Sequence, residues 1–166
     1  MKKIKLGGKL FKHTIVDDED FEYLNQWKWT LSPQGYAVRR IHTRLGIGEY
    51  AGEIIFMHRL TMDCPKNKNI DHKNGNKVDN RKDNLRLCNQ SQNGANSKIR
   101  INNTTGYKGV KIDKRQPGRP YIAEITVNRK VIYLGGHSTK EEAATSYNRA
   151  AIKYFGQFAR LNEIGG

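Results

Sequence analysis

The chain has 166 residues, with 30 lysines and arginines against 16 aspartates and glutamates, a formal charge of +14 and a mean hydropathy of −0.80. It has room for one ordinary domain or two small ones with a modest core. No apolar run approaches the roughly 20 residues that span a membrane, and the basic start MKKIKLGGKL has no apolar stretch behind it to act as a secretory signal, so a cytoplasmic protein without a membrane partner is expected.

The positive excess is uneven. Nine basic residues face seven acidic ones over residues 1–56, ten face four over 57–100, and eleven face five over 101–166. A polyanion partner follows, because each neutralised phosphate releases condensed counterions. Cys64 and Cys88 belong to no C-x-x-C pair, which argues against a zinc finger or ribbon.

Residues 1–56 read as a β-rich segment, with strand-like runs at 10–16, 36–41 and 53–56. A short helix is expected to start near Asp17 or Asp18 and to carry Phe21, Leu24 and Trp27 or Lys28 on one face. Ser32-Pro33-Gln34-Gly35 is a turn. No chemistry is visible in this block.

Residues 57–97 are rich in asparagine and hold the chemistry. Asp71 and His72 end a short apolar approach, and Asn74-Gly75 marks a tight turn. A second short strand at 85–88 leads to Asn89, a helix cap with Gln92 as its capping-box partner and Asn93 one turn inside. A hairpin with a helix packed over it would bring Asp71, His72 and Asn93 together. Carboxylate and amide oxygens are hard ligands for Mg2+ or Mn2+, which keep positions open for phosphate. A neutral imidazole can take a proton from attacking water. An isolated Asp-His pair, however, is more often ordinary turn sequence than a site.

The spacing changes that balance. Ile70-Asp71-His72-Lys73-Asn74-Gly75-Asn76, Asp79-Asn80-Arg81, Asn84-Leu85-Arg86 and Asn93 resemble the HNH (ββα-metal) nucleases, especially the homing endonucleases of phages and mobile introns. His72 stands 12 residues before Asn84 and 21 before Asn93, where the family's histidine is an asparagine in this branch. Met57-His58-Arg59-Leu60 is similar to the family's lead-in helix. The resemblance implies that Asp71 and Asn93 hold one divalent metal, that His72 is the general base, and that Asn84 bonds across the hairpin and orients His72. It leaves His58 as a structural histidine and Arg59 as a phosphate contact.

Residues 98–105 form a polar, basic linker, and 106–166 read as three strands and a helix. Strands are expected at 107–112, 121–127 and 131–134, with a turn at Asn128-Arg129. Ser138-Thr139-Lys140-Glu141 offers a capping box, Ala143, Tyr147, Ala150 and Tyr154 share a helical face, and Gly156 ends the helix.

This block resembles the APETALA/ethylene-response-factor DNA-binding domain in Tyr107-Lys108-Gly109-Val110-Lys111, Ala123-Glu124-Ile125, Tyr133-Leu134-Gly135, Glu141-Glu142-Ala143-Ala144 and Leu161-Asn162. The resemblance implies a sheet in the major groove with the helix behind it. Lys108, Lys111, Tyr121, Glu124, Thr126 and Tyr133 would then lie at the groove, and Arg115, Arg119 and Arg129 on the backbone. Asp113, Thr126 and Val131 replace usual arginines and Tyr121 a tryptophan, so the plant target does not transfer.

The expected protein is α+β: an N-terminal β-rich segment, a ββα-metal core, and a three-stranded antiparallel sheet on one helix. It would be a monomeric endonuclease using Mg2+ or Mn2+ on double-stranded DNA, without a small-molecule cofactor, in a host cytoplasm if phage-encoded. The alternative is a non-catalytic, sequence-specific DNA-binding regulator.

Overall fold

Charged and apolar residues alternate in KKIKLG, which sends Ile4 and Leu6 inward and the lysines outward and makes β1 (Lys2–Gly7) a half-buried strand. The structure is a computed structural model that describes residues 1–8, 12–46 and 49–165, with backbone alone for 42–46 and 49–51. β2 (Lys12–Val16) pairs antiparallel with β1; residues 10 and 11 of the expected strand lie outside the described residues. β3 (Trp29–Leu31) runs parallel to β1, and β4 (Ala37–Gly46) and β5 (Glu49–Phe56) complete a sheet of order β2-β1-β3-β4-β5.

Between β2 and β3, α1 (Asp18–Asn25) starts after Asp17 with Asp18, Glu19 and Asp20 in its first turn, where the helix dipole favours carboxylates. Leu24 joins Ile4, Leu6, Val16, Trp29, Ala37 and Met57 in the core, with Phe21 and Trp27 packed against it. The Trp29 indole is buried because its Nε1 donates to the Leu24 carbonyl at 2.8 Å.

α2 (Met57–Thr61) follows β5 directly and anchors through Met57. β6 (Asn69–His72) and β7 (Leu85–Cys88) then pair antiparallel. Gly75, at φ +69°, makes the turn after His72. The loop that follows is sewn to β2: Ile15 N–H donates to the Val78 carbonyl and Asn80 N–H to the Ile15 carbonyl, each at 2.8 Å.

The chain divides into two compact units, Met1–Cys88 and Asn89–Gly166. The second opens with α3 (Gln90–Ala95), whose expected box is present: Asn89 accepts from Gln92 N–H and the Gln92 side chain accepts from Asn89 N–H. β8 (Val110–Ile112), β9 (Tyr121–Val127) and β10 (Lys130–His137) form an antiparallel sheet of order β10-β9-β8, with α4 (Lys140–Phe155) packed on it. This is the α+β architecture expected.

Three local expectations are corrected. β8 starts at Val110 rather than 107, because Gly106 and Gly109 turn the backbone at φ +79° and +74°. A Cβ on Gly109 would meet Tyr147 Cδ2 at 2.0 Å and the Glu124 carbonyl at 2.7 Å, so only glycine fits there. The α4 capping box is Thr139 with Glu142, one residue later than expected. Ala143, Tyr147 and Ala150 face the sheet as expected, but Phe155 closes the core and Tyr154 is 40% exposed. Asn128 and Arg129 both take positive φ, and Gly156 caps α4, as the turn and stop signals indicate.

Candidate active site

Strand alternation alone would not bury two adjacent residues, yet Asp71 and His72 are 5% and 4% exposed at the end of β6. Asp71 stands opposite Arg86 of β7, whose Nε and Nη2 donate to Asp71 Oδ2 at 2.8 and 2.6 Å. A charge-assisted pair of this kind makes burial of the carboxylate tolerable. His72 lies 3.3 Å from Asn80 through Nε2 and Oδ1. Burial lowers the His72 pKa from the ordinary value, against the opposing pull of Asn80, Asp71 and Asp79, so the ring is neutral at pH 7.

Two rings from outside β6 pack around that of His72. The His58 ring of α2 stands edge-on at 5.2 Å, and Tyr36, just before β4, lies 5.1 Å from His58 and 5.9 Å from His72. His58 is pushed down to about 3, first by burial and then by the neighbouring His72 and Arg59 charges. Its Nδ1 is buried without a hydrogen-bond partner among the described residues, which marks a neutral ring packed for shape.

Asn84 bonds across the hairpin loop rather than to the imidazole. Its Oδ1 accepts from Asn74 N–H at 3.0 Å, its Nδ2 donates to the Asp79 carbonyl at 2.8 Å, and its own carbonyl takes Lys73 N–H at 2.8 Å. It therefore shapes the 73–84 loop, and the side chain that meets His72 is Asn80. Asn80 is fully buried, and it is held by Thr14 of β2, so the N-terminal block does contribute to the site. Sequence reasoning missed Thr14, Tyr36 and this role of Asn80; only the Asp79-Asn80-Arg81 motif hinted at it.

Arg59 is half-buried, and its guanidinium donates to the carbonyls of Lys68, Cys64 and Pro65 at 2.9, 3.2 and 2.8 Å, which closes the loop after α2. Asn93 is the fourth residue of α3 and belongs to the second unit.

In the second unit, Lys111, Glu124, Thr126, Val131 and Tyr133 share the sheet face turned away from α4. Register sets this: Thr126 opposes Val131, Glu124 opposes Tyr133, and Lys111 opposes Ile122, while Ile125 and Ala123 meet the helix. Lys111 and Glu124 are ion-paired, and Tyr133 is 61% exposed. Arg115 donates to both oxygens of Asp113 at 2.9 and 2.8 Å. Arg119 ends the same loop, and Arg129 reaches Gln90 at 3.5 Å.

Two expected groove residues are elsewhere. Tyr121 faces the helix side and packs with Val110, Ala123 and Ala143. Lys108 Nζ donates to the carbonyls of Gly94, Ala95 and Ser97 at 3.2, 2.5 and 2.8 Å, around the end of α3. Burial, then the Arg160 charge, lowers it to about 8. The Gly94 carbonyl also accepts from Ser97 N–H and Oγ and the Ala95 carbonyl from Arg160 N–H, so the lysine adds a charged donor to a helix end that is already capped.

Among the described residues, no three His, Cys, Asp or Glu side chains cluster as a metal cage. A single carboxylate such as Asp71 is still a fitting donor for Mg2+ or Mn2+, which are commonly held by one or two protein oxygens plus water and phosphate.

Residues 63–95, which contain Asp71, His72, Asn84 and Asn93, match the family model described as HNH endonuclease. The enzyme class is thus a hydrolase acting on DNA. Over 160 residues the chain is 30% identical to an uncharacterized HNH endonuclease of Acanthamoeba polyphaga mimivirus, covering 96% of this chain and 79% of that protein. The chain belongs to the HNH endonuclease family.

Proposed function

We propose that the protein is a metal-dependent endonuclease that hydrolyses phosphodiester bonds of double-stranded DNA, with His72 as general base. The observation that carries this reading is the buried, neutral His72 beside Asp71 on β6, since a base must be unprotonated at working pH. Asp71 and Asn93 would hold one divalent cation, Mg2+ or Mn2+. When bound, that cation would supply charge stabilisation for the scissile phosphate and the departing 3′ oxygen. His72 would take the proton of the attacking water, and Asn84 would keep the loop behind it in shape.

The C-terminal sheet is proposed as a DNA reader of the APETALA/ethylene-response-factor kind. Lys111, Glu124, Thr126 and Tyr133 on the open face would meet the groove, with Arg115, Arg119 and Arg129 toward the backbone. What supports this is one face carrying these residues in a unit with excess positive charge. The homing, phage-type setting rests on the motif resemblance, with a viral relative in keeping.

The test is incubation of pure protein with genomic DNA and Mg2+ or Mn2+, followed by sequencing of the cut ends. Ends recurring at one site, absent with His72→Ala, are expected. Binding without any cleavage under either metal would replace this reading with the DNA-binding regulator.

A further inference from the structure

We propose that Asn80 is a positioning residue that holds His72 in the Nε2–H tautomer, through a directed hydrogen-bond chain running from β2. This deepens the assignment of His72 as the base and rests on it for its catalytic consequence. The chain begins at the Val78 carbonyl, which can only accept. Thr14 Oγ1 lies 2.8 Å from that oxygen, so the hydroxyl donates to it and offers its lone pairs elsewhere. Asn80 lies 2.7 Å from Thr14 Oγ1, so the amide must present its NH2 group there; the Met57 sulfur, 3.5 Å from the same nitrogen, is again an acceptor. Asn80 Oδ1 therefore points to His72, 3.3 Å from Nε2.

An amide oxygen cannot donate, so Nε2 carries the proton and Nδ1 the lone pair. The carbonyl at the far end of the chain sets the direction of every bond in it, the orientation of the Asn80 amide included. The backbone keeps the chain in place: Asn80 N–H is bonded to Ile15 and Ile15 N–H to Val78, with Thr14 and Asn80 both fully buried. The N-terminal sheet thus supplies the nuclease hairpin with an orienting element that the 63–95 family segment does not contain on its own.

The experiment is a long-range 1H–15N correlation spectrum of the labelled full chain, without metal and in mildly alkaline buffer, where the two neutral tautomers of His72 give distinct nitrogen shifts. Wild-type protein should show Nε2–H. An Nδ1–H or mixed spectrum overturns the proposal, whatever the variants do. Thr14→Val, which keeps the shape and loses the hydroxyl, should give a mixed spectrum, and Thr14→Ser should restore a single tautomer. In nicking of supercoiled plasmid DNA with Mn2+, folded Thr14→Val should lose about tenfold or more in kcat with KM unchanged, and Thr14→Ser should recover it. Full kcat in Thr14→Val overturns the positioning role. Wild-type nicking by His72→Ala would instead remove the base assignment and leave the tautomer result standing, so the two failures are distinguishable.

Discussion

Asp71 and Arg86 stand directly opposite each other on the β6–β7 hairpin, and two guanidinium N–H groups converge on one carboxylate oxygen, Oδ2. The pair is nearly enclosed, with side chains 12% and 6% exposed for Arg86 and Asp71. Removing one partner of a buried ion pair leaves the other charge poorly compensated, at a cost on the order of 3–5 kcal/mol. Arg86→Met should therefore lower unfolding free energy in urea by about 3 kcal/mol. A change below about 0.5 kcal/mol would show that the pair does not hold the hairpin.

His72→Ala should reduce cleavage by a factor on the order of 10²–10⁴ while DNA affinity stays near wild type, because the ring is assigned to proton transfer rather than contact. Single-turnover cleavage and a binding titration on the same duplex check both halves. An equal loss of binding would recast the ring as a substrate contact.

EDTA should stop cleavage, and added Mg2+ or Mn2+ should restore it. Asp71→Asn should remain inactive with metal present, since an amide is a weaker ligand than a carboxylate for hard cations. Melting curves of both proteins separate lost ligation from lost folding. Full activity in the presence of chelator would sink the metal assignment.

His58 gives stability a pH dependence of known sign. Its pKa is held near 3 in the folded protein against 6.5 ordinarily. As pH falls below 6.5 the unfolded chain takes a proton that the folded chain refuses until about 3. The favourable contribution of the neutral ring is thus fully present above 6.5 and lost as pH falls toward 3, with a slope of up to about 1.4 kcal/mol per pH unit. The ring faces His72, Tyr36, Phe56 and Arg59. His58→Phe should flatten this part of the stability profile in urea melts between pH 7 and pH 4; an unchanged slope would mean that other groups set it.

Lys108 separates a structural lysine from a DNA-contacting one. Lys108→Met should lower the melting temperature, because three carbonyls around the end of α3 lose the charged donor they share. It should leave the log–log salt dependence of DNA binding in place. Arg119→Gln should do the reverse, if Arg119 meets phosphate, and reduce that slope by about 0.9. A slope change for Lys108→Met alone would return Lys108 to the DNA interface.

Much of this protein is written in short-range pattern. The spacing of Asp71, His72, Asn84 and Asn93, the Asn89–Gln92 box, the Asn128-Arg129 turn and the alternation in β9 involve residues near in sequence or set by one strand's period, and each signal acts through neighbouring backbone. Where a second local pattern competes, the margin is small: Ser138 and Thr139 are both good caps, and Thr139 takes the role because Glu142 is placed to answer it.

The partners of buried polar groups needed the tertiary structure. Thr14 meets Asn80 across 66 positions of chain and Arg86 meets Asp71 across 15, while Lys108 is withdrawn from the expected DNA face by carbonyls 11–14 positions away. Nothing in KHTIV marks Thr14 as an acceptor for an asparagine that lies two helices and four strands further along. Composition and periodicity say which faces are apolar, but a buried hydrogen bond depends on which donor and acceptor the packed sheet brings within about 3 Å. The sequence alone therefore determined the nuclease motif and the element types; the packing of β2 against the 73–84 loop decided which asparagine holds the histidine.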